Sequence, residues 1–328
     1  MEFRLVFILL LFLGGPSAQA VDIDNPDVRN FVDSMVSEHG YDRDTLENVL
    51  RQAKVQESIL EAIARPAERT KEWHEYRDIF LTDARVKAGA AFWREHSEAL
   101  GRISGETGVD VEILVGIIGV ETYFGRRTGN YRVLDALVTL AFEYPPRSTF
   151  FRNELEQFLL LVREEEMDAI DATGSYAGAM GRPQFMPSSY RAYAVDSSAD
   201  GKRDIWSNWA DAIGSVANYF VRHGWRMNDQ VVTQARLSKQ WRGDPPENTL
   251  KPEETVTSLS HQGVLFATDL PGDHQSQLLT LIGDDGEEHW VGFHNFFVIT
   301  RYNRSVMYAL AVHQLGQEIA IEVDRGET

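Results

Sequence analysis

One carboxylate, Glu121, stands at the end of the strongly apolar stretch VGIIGVETYFG at positions 115–125. If positions 110–122 form a helix, Glu121 shares a face with four aliphatic residues: Ile113, Leu114, Ile117 and Ile118. Burial among aliphatic side chains raises the pKa of a carboxyl group, so such a group can stay protonated near neutral pH and act as a general acid. The alternative is a helix-end glutamate paired with Arg126 or Arg127, and this stretch alone does not decide between the two.

A second stretch, GSYAGAMGRPQFMPSSY at positions 174–190, combines small, polar and aromatic residues. Its glycines let the backbone approach another group closely: Gly174, Gly178 and Gly181. Its hydrogen-bonding side chains are Ser175, Gln184, Ser188 and Tyr190, and its aromatic faces are Tyr176 and Phe185. Polar groups among aromatic rings suit a sugar, whose apolar face stacks while its hydroxyls form hydrogen bonds. The alternative is a turn that binds nothing.

The third stretch, DSSADGKRDIWS at positions 196–207, follows the ligand spacing of an EF-hand calcium loop. The loop positions one, three, five, six and nine are Asp196, Ser198, Asp200, Gly201 and Asp204, and the backbone carbonyl of position seven belongs to Lys202. The twelfth position is Ser207 in place of the usual bidentate glutamate, and Asp211 is the nearest carboxylate that could replace it. We therefore predict a weak calcium site, with a metal-free turn as the alternative.

Helical periodicity surrounds these stretches, from Asn25 to about His96 and from Phe92 to Trp225. Two loops rich in Gly, Pro and Ser interrupt the second of these regions. The predicted helix boundaries are a stop at Gly40 and caps at Asp44 or Thr45, at Asp211, and at Asn303 or Ser305. Between Asn228 and Thr300 the pattern changes to short β-prone runs: QVVTQARL, ETVTSL, QLLTLIG and HWVGFHNFFVIT. The predicted fold class is therefore α+β, mainly helical with one small inserted β domain.

Composition restricts the function. The chain has 328 residues, a formal net charge of -18 and a pI near 4.9, which argues against binding nucleic acid or anionic lipid. No cysteine occurs, so disulfides, thiolate chemistry and lipid attachment to cysteine are excluded. Neither HExxH, a Walker loop nor GxSxG appears.

The first residues predict export. Positions 1–20 combine a short apolar core with the small-x-small signal Ala18-Gln19-Ala20, which is typical of a signal peptide cleaved after Ala20. The apolar core is shorter than the roughly 20 residues that a membrane span needs. The alternative is a buried N-terminal helix. A cysteine-free exported protein suits a bacterial periplasm.

Taken together, these segments resemble the B family of lytic murein transglycosylases, lysozyme-like enzymes of bacterial cell walls. The matching motifs, in chain order, are IIGVETYFG, GSYAGAMG with QFMPSSY, DAIGSVANYF and TRYNRSVMYALAV, with weaker matches in RPAERTKEWHEYRDIF and LVTLAFEYPPR. The resemblance covers about positions 65–316. It implies four parts: a signal peptide at 1–20, an N-terminal helical domain at 21–96 completed by a C-terminal helix at 303–328, a lysozyme-like catalytic core at 97–226, and a β domain at 227–302.

The resemblance implies that Glu121, in the GVET motif, is the single catalytic residue. It further implies a sugar-binding groove lined by Tyr76, Arg147, Ser175, Gln184, Phe185, Tyr219, Tyr302, Asn303 and Tyr308. The family often reads YPRR where this chain reads YPPR at 144–147, so one basic contact is missing. The loop at 196–207 is similar to the family's calcium site, but the segment that follows it, 207–211, is one residue longer.

The implied reaction cleaves the β-1,4 bond between N-acetylmuramic acid (MurNAc) and N-acetylglucosamine (GlcNAc) in peptidoglycan and leaves 1,6-anhydro-MurNAc ends. It requires no cofactor for the chemistry, and calcium is expected only in a structural role. The implied partners are glycan strands, with neither nucleic acid nor a lipid anchor. Two alternatives are a hydrolytic muramidase and a catalytically silent wall-binding scaffold. A hydrolase would need a second carboxylate to orient water, for which Glu143 and Glu154 are candidates.

Overall fold

The computed structural model describes residues 19–64, 71–243 and 248–326. Over these residues the chain is mainly helical. The helices, in chain order, are α1 (Pro26–His39), α2 (Arg43–Arg51), α3 (Glu57–Ala64), α4 (Trp73–Phe80), α5 (Asp83–Glu95), α6 (Ser97–Thr107), α7 (Val111–Thr122), α8 (Val133–Glu143), α9 (Ser148–Glu164), α10 (Pro187–Tyr193), α11 (Trp209–Arg222), α12 (Val256–Gln262), α13 (His294–Ile299) and α14 (Val306–Arg325).

The strands are short except in one sheet. They are β1 (Gln19–Ala20), β2 (Lys54–Val55), β3 (Tyr131–Arg132), β4 (Thr173–Gly174), β5 (Val232–Leu237), β6 (Glu254–Thr255), β7 (Val264–Phe266), β8 (Gln275–Gly283) and β9 (Gly286–Phe293). β1 pairs with β2 and β3 with β4, while the remaining five form an antiparallel sheet in the order β6-β8-β9-β5-β7. This mixture confirms the predicted α+β class.

Helix boundaries follow local capping chemistry. α1 ends at Gly40, whose φ of 65° is the left-handed conformation that glycine adopts without penalty, so the predicted stop is confirmed. The predicted cap of α2 is wrong, because Asp42 is its N-cap and accepts the Thr45 backbone N–H at 2.9 Å. Ser305, one of the two predicted candidates, caps α14 by accepting the N–H of Tyr308.

Two of the predicted β runs are partly helical. In ETVTSL only Glu254–Thr255 is a strand, because Thr255 and Ser258 accept each other's backbone N–H and start α12. The run HWVGFHNFFVIT leaves the sheet at Phe293 and continues as α13, which is buried almost throughout. A short run that is apolar on every side has no period, so its sequence does not separate a buried strand from a buried helix.

The centre of the main hydrophobic core is the crossing of α7 and α14. At this crossing a Cβ on Gly116 would lie 2.4 Å from the carbonyl oxygen of Val312, and a Cβ on Gly316 would lie 2.2 Å from that of Glu112. The two helices therefore touch backbone to backbone, which only glycine permits. The pairings 112–316 and 116–312 run in opposite directions, so the helices are antiparallel and the C-terminal end of α7 meets the start of α14.

The structure describes only the last two residues of the predicted signal peptide. Positions 1–18 of the predicted signal peptide lie outside the described residues, and Gln19–Ala20 pairs with Lys54–Val55. In the part of the chain that the structure describes, no helix is both long and apolar enough to cross a membrane.

Candidate active site

Glu121 lies in the last turn of α7, where the helix meets α14. The aliphatic face predicted for α7 is fully buried at Ile113, Leu114, Ile117 and Ile118, while Glu121 itself is half-buried. The hydroxyl of Tyr308, in the first turn of α14, donates a hydrogen bond of 2.5 Å to Oε1 of Glu121. The antiparallel crossing of the two helices thus joins one carboxyl group to one phenol and fixes the orientation of the carboxyl.

Two tyrosines next to Glu121 are held in their protonated form. Burial, and then the negative charge of Glu121, raise the pKa of Tyr308 and of Tyr302 well above the usual value. The hydroxyl of Tyr302 donates to the carbonyl oxygen of Pro183 at 2.6 Å. Tyr302 therefore anchors the glycine-rich stretch, while Tyr308 is the hydroxyl that donates to the carboxyl.

Thr122 ties the glycine-rich stretch to the end of α7. This residue is fully buried, and its hydroxyl donates to the carbonyl of Arg182 at 3.2 Å and accepts the N–H of Gly125 at 3.0 Å. The sequence alone predicts no role for Thr122. Its place directly after Glu121 was the available signal, since a buried hydroxyl needs hydrogen-bond partners.

The glycine-rich stretch packs backbone against backbone beside the carboxyl. A Cβ on Gly174 would lie 2.1 Å from the carbonyl oxygen of Ala179, so this turn requires glycine. Ser175 Oγ accepts the N–H groups of Ala177 and Ala179 at 3.3 and 3.1 Å. The side-chain amide of Gln184 donates to the carbonyls of Thr128 and Gly181, and its φ of 55° is rare for a residue other than glycine.

Aromatic rings form one wall of the site. The ring centroid of Phe185 lies 5.9 Å from that of Tyr219 and 5.8 Å from that of Tyr302, and the two tyrosine rings lie 4.8 Å apart. Three residues predicted from separate parts of the sequence thus form one cluster. Tyr219 is fixed in it by donating its hydroxyl to the carbonyl of Arg301 at 2.6 Å.

The sequence of this chain is similar to those of proteins of known activity. The family described as Transglycosylase SLT domain matches residues 24–317. Membrane-bound lytic murein transglycosylase B of Escherichia coli K12 is 45% identical over 307 residues, which are 91% of this chain and 84% of that protein. The chain belongs to the lytic transglycosylase B family. It is therefore an enzyme of the lysozyme-like class that acts on peptidoglycan.

Solved structures agree with this membership. The lytic transglycosylase SltB1 of Pseudomonas aeruginosa is 51% identical with a TM-score of 0.87, over 91% of this chain and 98% of that one. The Escherichia coli lytic transglycosylase Slt35, solved in complex with calcium, is 43% identical with a TM-score of 0.84, over 93% of this chain and 96% of that one. The match to Slt35 confirms the lysozyme-like fold.

The remaining predicted groove residues of this transglycosylase lie at different distances from its carboxyl. Tyr76 is buried and lies near enough to Tyr308 to raise the pKa of that phenol. Asn303 is half-buried in the turn that joins α13 to α14. Arg147 is exposed, and its guanidinium stacks on the ring of Phe150 at 4.3 Å, so the structure does not bring it into the Glu121 cluster.

Two polar residues of the glycine-rich stretch serve the lytic transglycosylase fold and not the groove. Ser188 donates its hydroxyl and its N–H to the carboxylate of the buried Glu154, at 2.7 and 2.9 Å. The hydroxyl of Tyr190 donates to the carbonyl of Arg203. Glu154 is thereby occupied at the start of α10 and cannot orient a water molecule at the sugar. Glu143 is exposed at the end of α8.

The predicted calcium loop brings three carboxylates together. Oxygen atoms of Asp196, Asp200 and Asp211 lie within 4.8 Å of one another, and Asp196 also accepts the hydroxyl of Ser198 at 3.2 Å. The prediction that Asp211 caps α11 is wrong, since Asn208 accepts the first free N–H groups of that helix. The buried Asp211 instead accepts the N–H groups of Ser197, Ser198 and Asp204, which closes the loop.

Proposed function

We propose that Glu121 is both the general acid and the general base of a transglycosylation that cleaves the MurNAc–GlcNAc bond. The observation that carries this role is the hydrogen bond from Tyr308 to Oε1 of Glu121. Because Oε1 accepts that bond, Oε2 is the oxygen that carries the transferable proton. The carboxyl is half-buried beside aromatic rings, a setting that suits general acids of glycosidases.

The reaction balances with a single carboxyl group. Glu121 gives its proton to the glycosidic oxygen, the bond from that oxygen to C1 of MurNAc breaks, and GlcNAc leaves as an alcohol. The acetamido group of MurNAc stabilises the oxocarbenium-like centre at C1. The carboxylate of Glu121 then takes the proton of the C6 hydroxyl while the C6 oxygen bonds to C1, which restores the acid and forms the anhydro ring.

A tethered hydroxyl outcompetes water in this site. Effective molarities of well-oriented intramolecular attack reach about 10⁵–10⁸ M, far above the concentration of water. A hydrolase would need a second carboxylate to orient its water. The carboxylate of Glu154, one of the two candidates, is already occupied by Ser188.

We propose that the residues around Glu121 also form the sugar-binding groove. Ser175 and Gln184 would present polar groups from the glycine-rich stretch. The half-buried ring of Tyr302 would face the sugar, backed by the buried rings of Phe185 and Tyr219. Tyr76 lies near Tyr308, and Asn303 adjoins Tyr302 in the chain. Arg147, outside the cluster, would bind a more distant part of the glycan strand. Glycan strands of peptidoglycan are the substrate in this proposal.

The products test the proposal. Digestion of purified sacculi should give muropeptides that end in 1,6-anhydro-MurNAc, each one water lighter than its hydrolytic counterpart and resistant to borohydride reduction. Mass spectrometry before and after borohydride measures this directly. Mainly reducible muramic ends would identify a hydrolytic muramidase, and intact sacculi would identify a silent wall-binding scaffold.

Tyr308 gives a second test. Changing Tyr308 to Phe removes the hydroxyl but keeps the ring, so kcat should fall about 10- to 100-fold, because a hydrogen bond to a charged group contributes roughly 1.5–3 kcal/mol. KM should change little. Steady-state kinetics on isolated glycan strands gives both values. The control is Tyr190→Phe, which removes the same hydroxyl from another buried tyrosine and should leave kcat unchanged. Equal kcat in the two variants would contradict the orienting role.

We propose that the loop around Asp196 holds a structural calcium ion. A relative of this protein, Slt35, was solved in complex with calcium. The donor set fits: the carboxylates of Asp196, Asp200 and Asp211 converge, Ser198 adds a hydroxyl, and Lys202 adds a backbone carbonyl. All are hard oxygen donors, and an ion there would reduce the repulsion among the three carboxylates. The ion would stabilise the fold and take no part in the chemistry.

Calcium should therefore raise the melting temperature. With Ser207 at the twelfth position, we expect a Kd of about 10⁻⁴–10⁻³ M, so 10 mM calcium should stabilise the native state by roughly 1.5–3 kcal/mol. The measurement is a thermal unfolding curve of EDTA-treated protein with and without calcium. Magnesium at the same concentration and the variant Asp200→Asn are the controls. A melting curve that calcium does not move would show that the loop is only a turn.

We further propose that the protein is exported and has three structural parts. Positions 1–20 would direct export, with cleavage after Ala20, and the mature enzyme would act in the periplasm without a lipid anchor. Its divisions would be those predicted above, at 21–96 with 303–328, 97–226 and 227–302. A small second hydrophobic cluster within the sheet, which includes Leu278 and Val291, supports treating the β region as a separate part.

A further inference from the structure

The turn that follows Glu121 has an unusual backbone. Tyr123, Phe124 and Gly125 have φ values of 50°, 57° and 77°, so three consecutive residues are left-handed and two of them are aromatic. A left-handed conformation costs roughly 1–2 kcal/mol for a residue with a Cβ, and such strain concentrates at functional sites. Hydrogen bonds from the N–H of Arg126 to Tyr123 and of Arg127 to Thr122 hold this turn.

The strained turn brings three arginines around one ring. The guanidinium carbons of Arg85, Arg126 and Arg127 lie 4.9, 5.0 and 5.5 Å from the ring centre of Tyr123. We call these three residues the arginine cluster. Arg126 and Arg127 are exposed, whereas Arg85 is only 6% exposed. Three positive charges converge there in a protein whose formal net charge is -18.

Arg85 lacks the partners that a buried cation needs. Its Nε and Nη1 atoms are buried and have no hydrogen-bond partner. Burial lowers the pKa of Arg85, and the positive charge of the neighbouring Arg127 lowers it further by repulsion. An arginine does not lose its proton inside a protein, so a buried guanidinium is costly unless an anion binds to it. Stacking on Tyr123 and on Phe80, at 5.0 Å, offsets only part of that cost.

The cluster adjoins the groove. Tyr123 is two residues past Glu121, and Phe80, on which Arg85 stacks, lies 5.1 Å from the ring of Tyr76, one of the predicted groove residues. The substrate carries the matching chemistry, because each MurNAc bears a lactyl group that ends either in a free carboxylate or in a peptide stem with carboxylates of its own. Without local positive charge, an acidic enzyme would repel an anionic strand.

We propose that the arginine cluster is an anion subsite, which binds a carboxylate of the glycan strand beside Glu121. This inference rests on the proposed function, since it assigns part of the same groove. The subsite would hold the strand in register with the carboxyl group and contribute to binding and not to proton transfer. Its effect should therefore appear in KM, with kcat on neutral strands unchanged.

The test compares charged strands with strands whose carboxylates have been converted to amides. For the unaltered enzyme, we expect KM to be about tenfold lower on charged strands, because charge-assisted hydrogen bonds to a carboxylate contribute that much or more. Arg127→Gln and Arg85→Met should each abolish most of this ratio. Arg127 is exposed, so its variant keeps the test valid even if Arg85→Met does not fold. Arg236→Gln, an exposed arginine on β5, controls for the loss of one positive charge.

Two further measurements test whether the KM ratio is electrostatic and which carboxylate causes it. The KM ratio should shrink with added salt for the unaltered enzyme and not for the variants, since salt screens the exposed part of the attraction. Strands whose stems have been removed by an amidase carry only the lactyl carboxylate. A ratio that persists on these strands assigns the anion to the lactyl group, and a ratio that disappears assigns it to the stem.

The proposal is overturned if Arg127→Gln keeps the ratio of the unaltered enzyme, or if the unaltered enzyme does not distinguish charged from amidated strands. Equilibrium binding of both strands to the Glu121→Gln protein separates this outcome from a failure of the proposed function. A charge preference in binding, together with products that lack anhydro ends, supports the subsite and rejects the transglycosylation. Anhydro ends without a charge preference do the reverse.

Discussion

Replacing Glu121 with glutamine should reduce turnover of peptidoglycan by at least 10²–10⁴-fold, the range typical of acid–base catalysis, because one residue supplies both proton transfers. Glutamine has the shape of the carboxyl and can accept the Tyr308 hydrogen bond through its amide oxygen, but it has no transferable proton. The fold and glycan binding should therefore be retained. Release of soluble muropeptides from sacculi measures turnover, and thermal unfolding checks the fold.

The matched control for Glu121→Gln is Glu143→Gln, the same change at an exposed glutamate. It should leave turnover within about twofold, since surface substitutions away from structural features have small effects. If Glu121→Gln retains near-normal turnover, the catalytic assignment is wrong. If instead Glu143→Gln abolishes turnover, a second carboxylate takes part and hydrolysis must be reconsidered.

Changing Gly116 to alanine should lower the free energy of unfolding by about 1–3 kcal/mol, the usual cost of overpacking a core. The added methyl would lie 2.4 Å from the carbonyl oxygen of Val312, a backbone atom, so α14 must move away from α7. Because Tyr308 lies one turn before Val312, the same displacement should separate its hydroxyl from Glu121 and lower kcat. Urea unfolding and steady-state kinetics measure the two effects.

The same substitution at Gly101 should stabilise the protein. Gly101 is exposed on α6 with no atom within 4 Å of an added Cβ, so alanine should raise the free energy of unfolding by about 0.5–1 kcal/mol. An unchanged or increased stability of Gly116→Ala would show that the α7–α14 contact tolerates a side chain. That result would contradict the backbone-to-backbone packing described above.

The sequence predicts those parts of the site whose signal is local. The apolar run of α7 with Glu121 near its end lies within twelve residues, and the carboxylates of the loop at 196–207 follow a fixed spacing. The partner of the carboxyl, Tyr308, lies 187 residues away and came only from the family resemblance. No pattern in one chain pairs two side chains at that distance.

The residues that were wrongly predicted or missed also depend on contacts between distant segments. Asp211 has the residue type and position of a helix cap, yet its carboxylate accepts backbone N–H groups of the preceding loop. Thr122 and Arg85 carried no expectation, because their partners are a carbonyl and two rings supplied by distant segments. Side chains whose partners come from another element depend on tertiary packing, which local propensity does not contain.

The crossing of α7 and α14 also orders the events of folding. α7 ends at Thr122, α14 begins at Val306, and the whole five-stranded sheet lies between them in the chain. Docking the two helices therefore closes a very long loop, which is slow relative to local helix formation. Until α14 docks, Glu121 has no phenol to orient it and the apolar face of α7 is exposed to water. A nascent chain or a fragment without α14 therefore has the acid without its alignment. We therefore expect full lytic activity only after α14 has docked on α7.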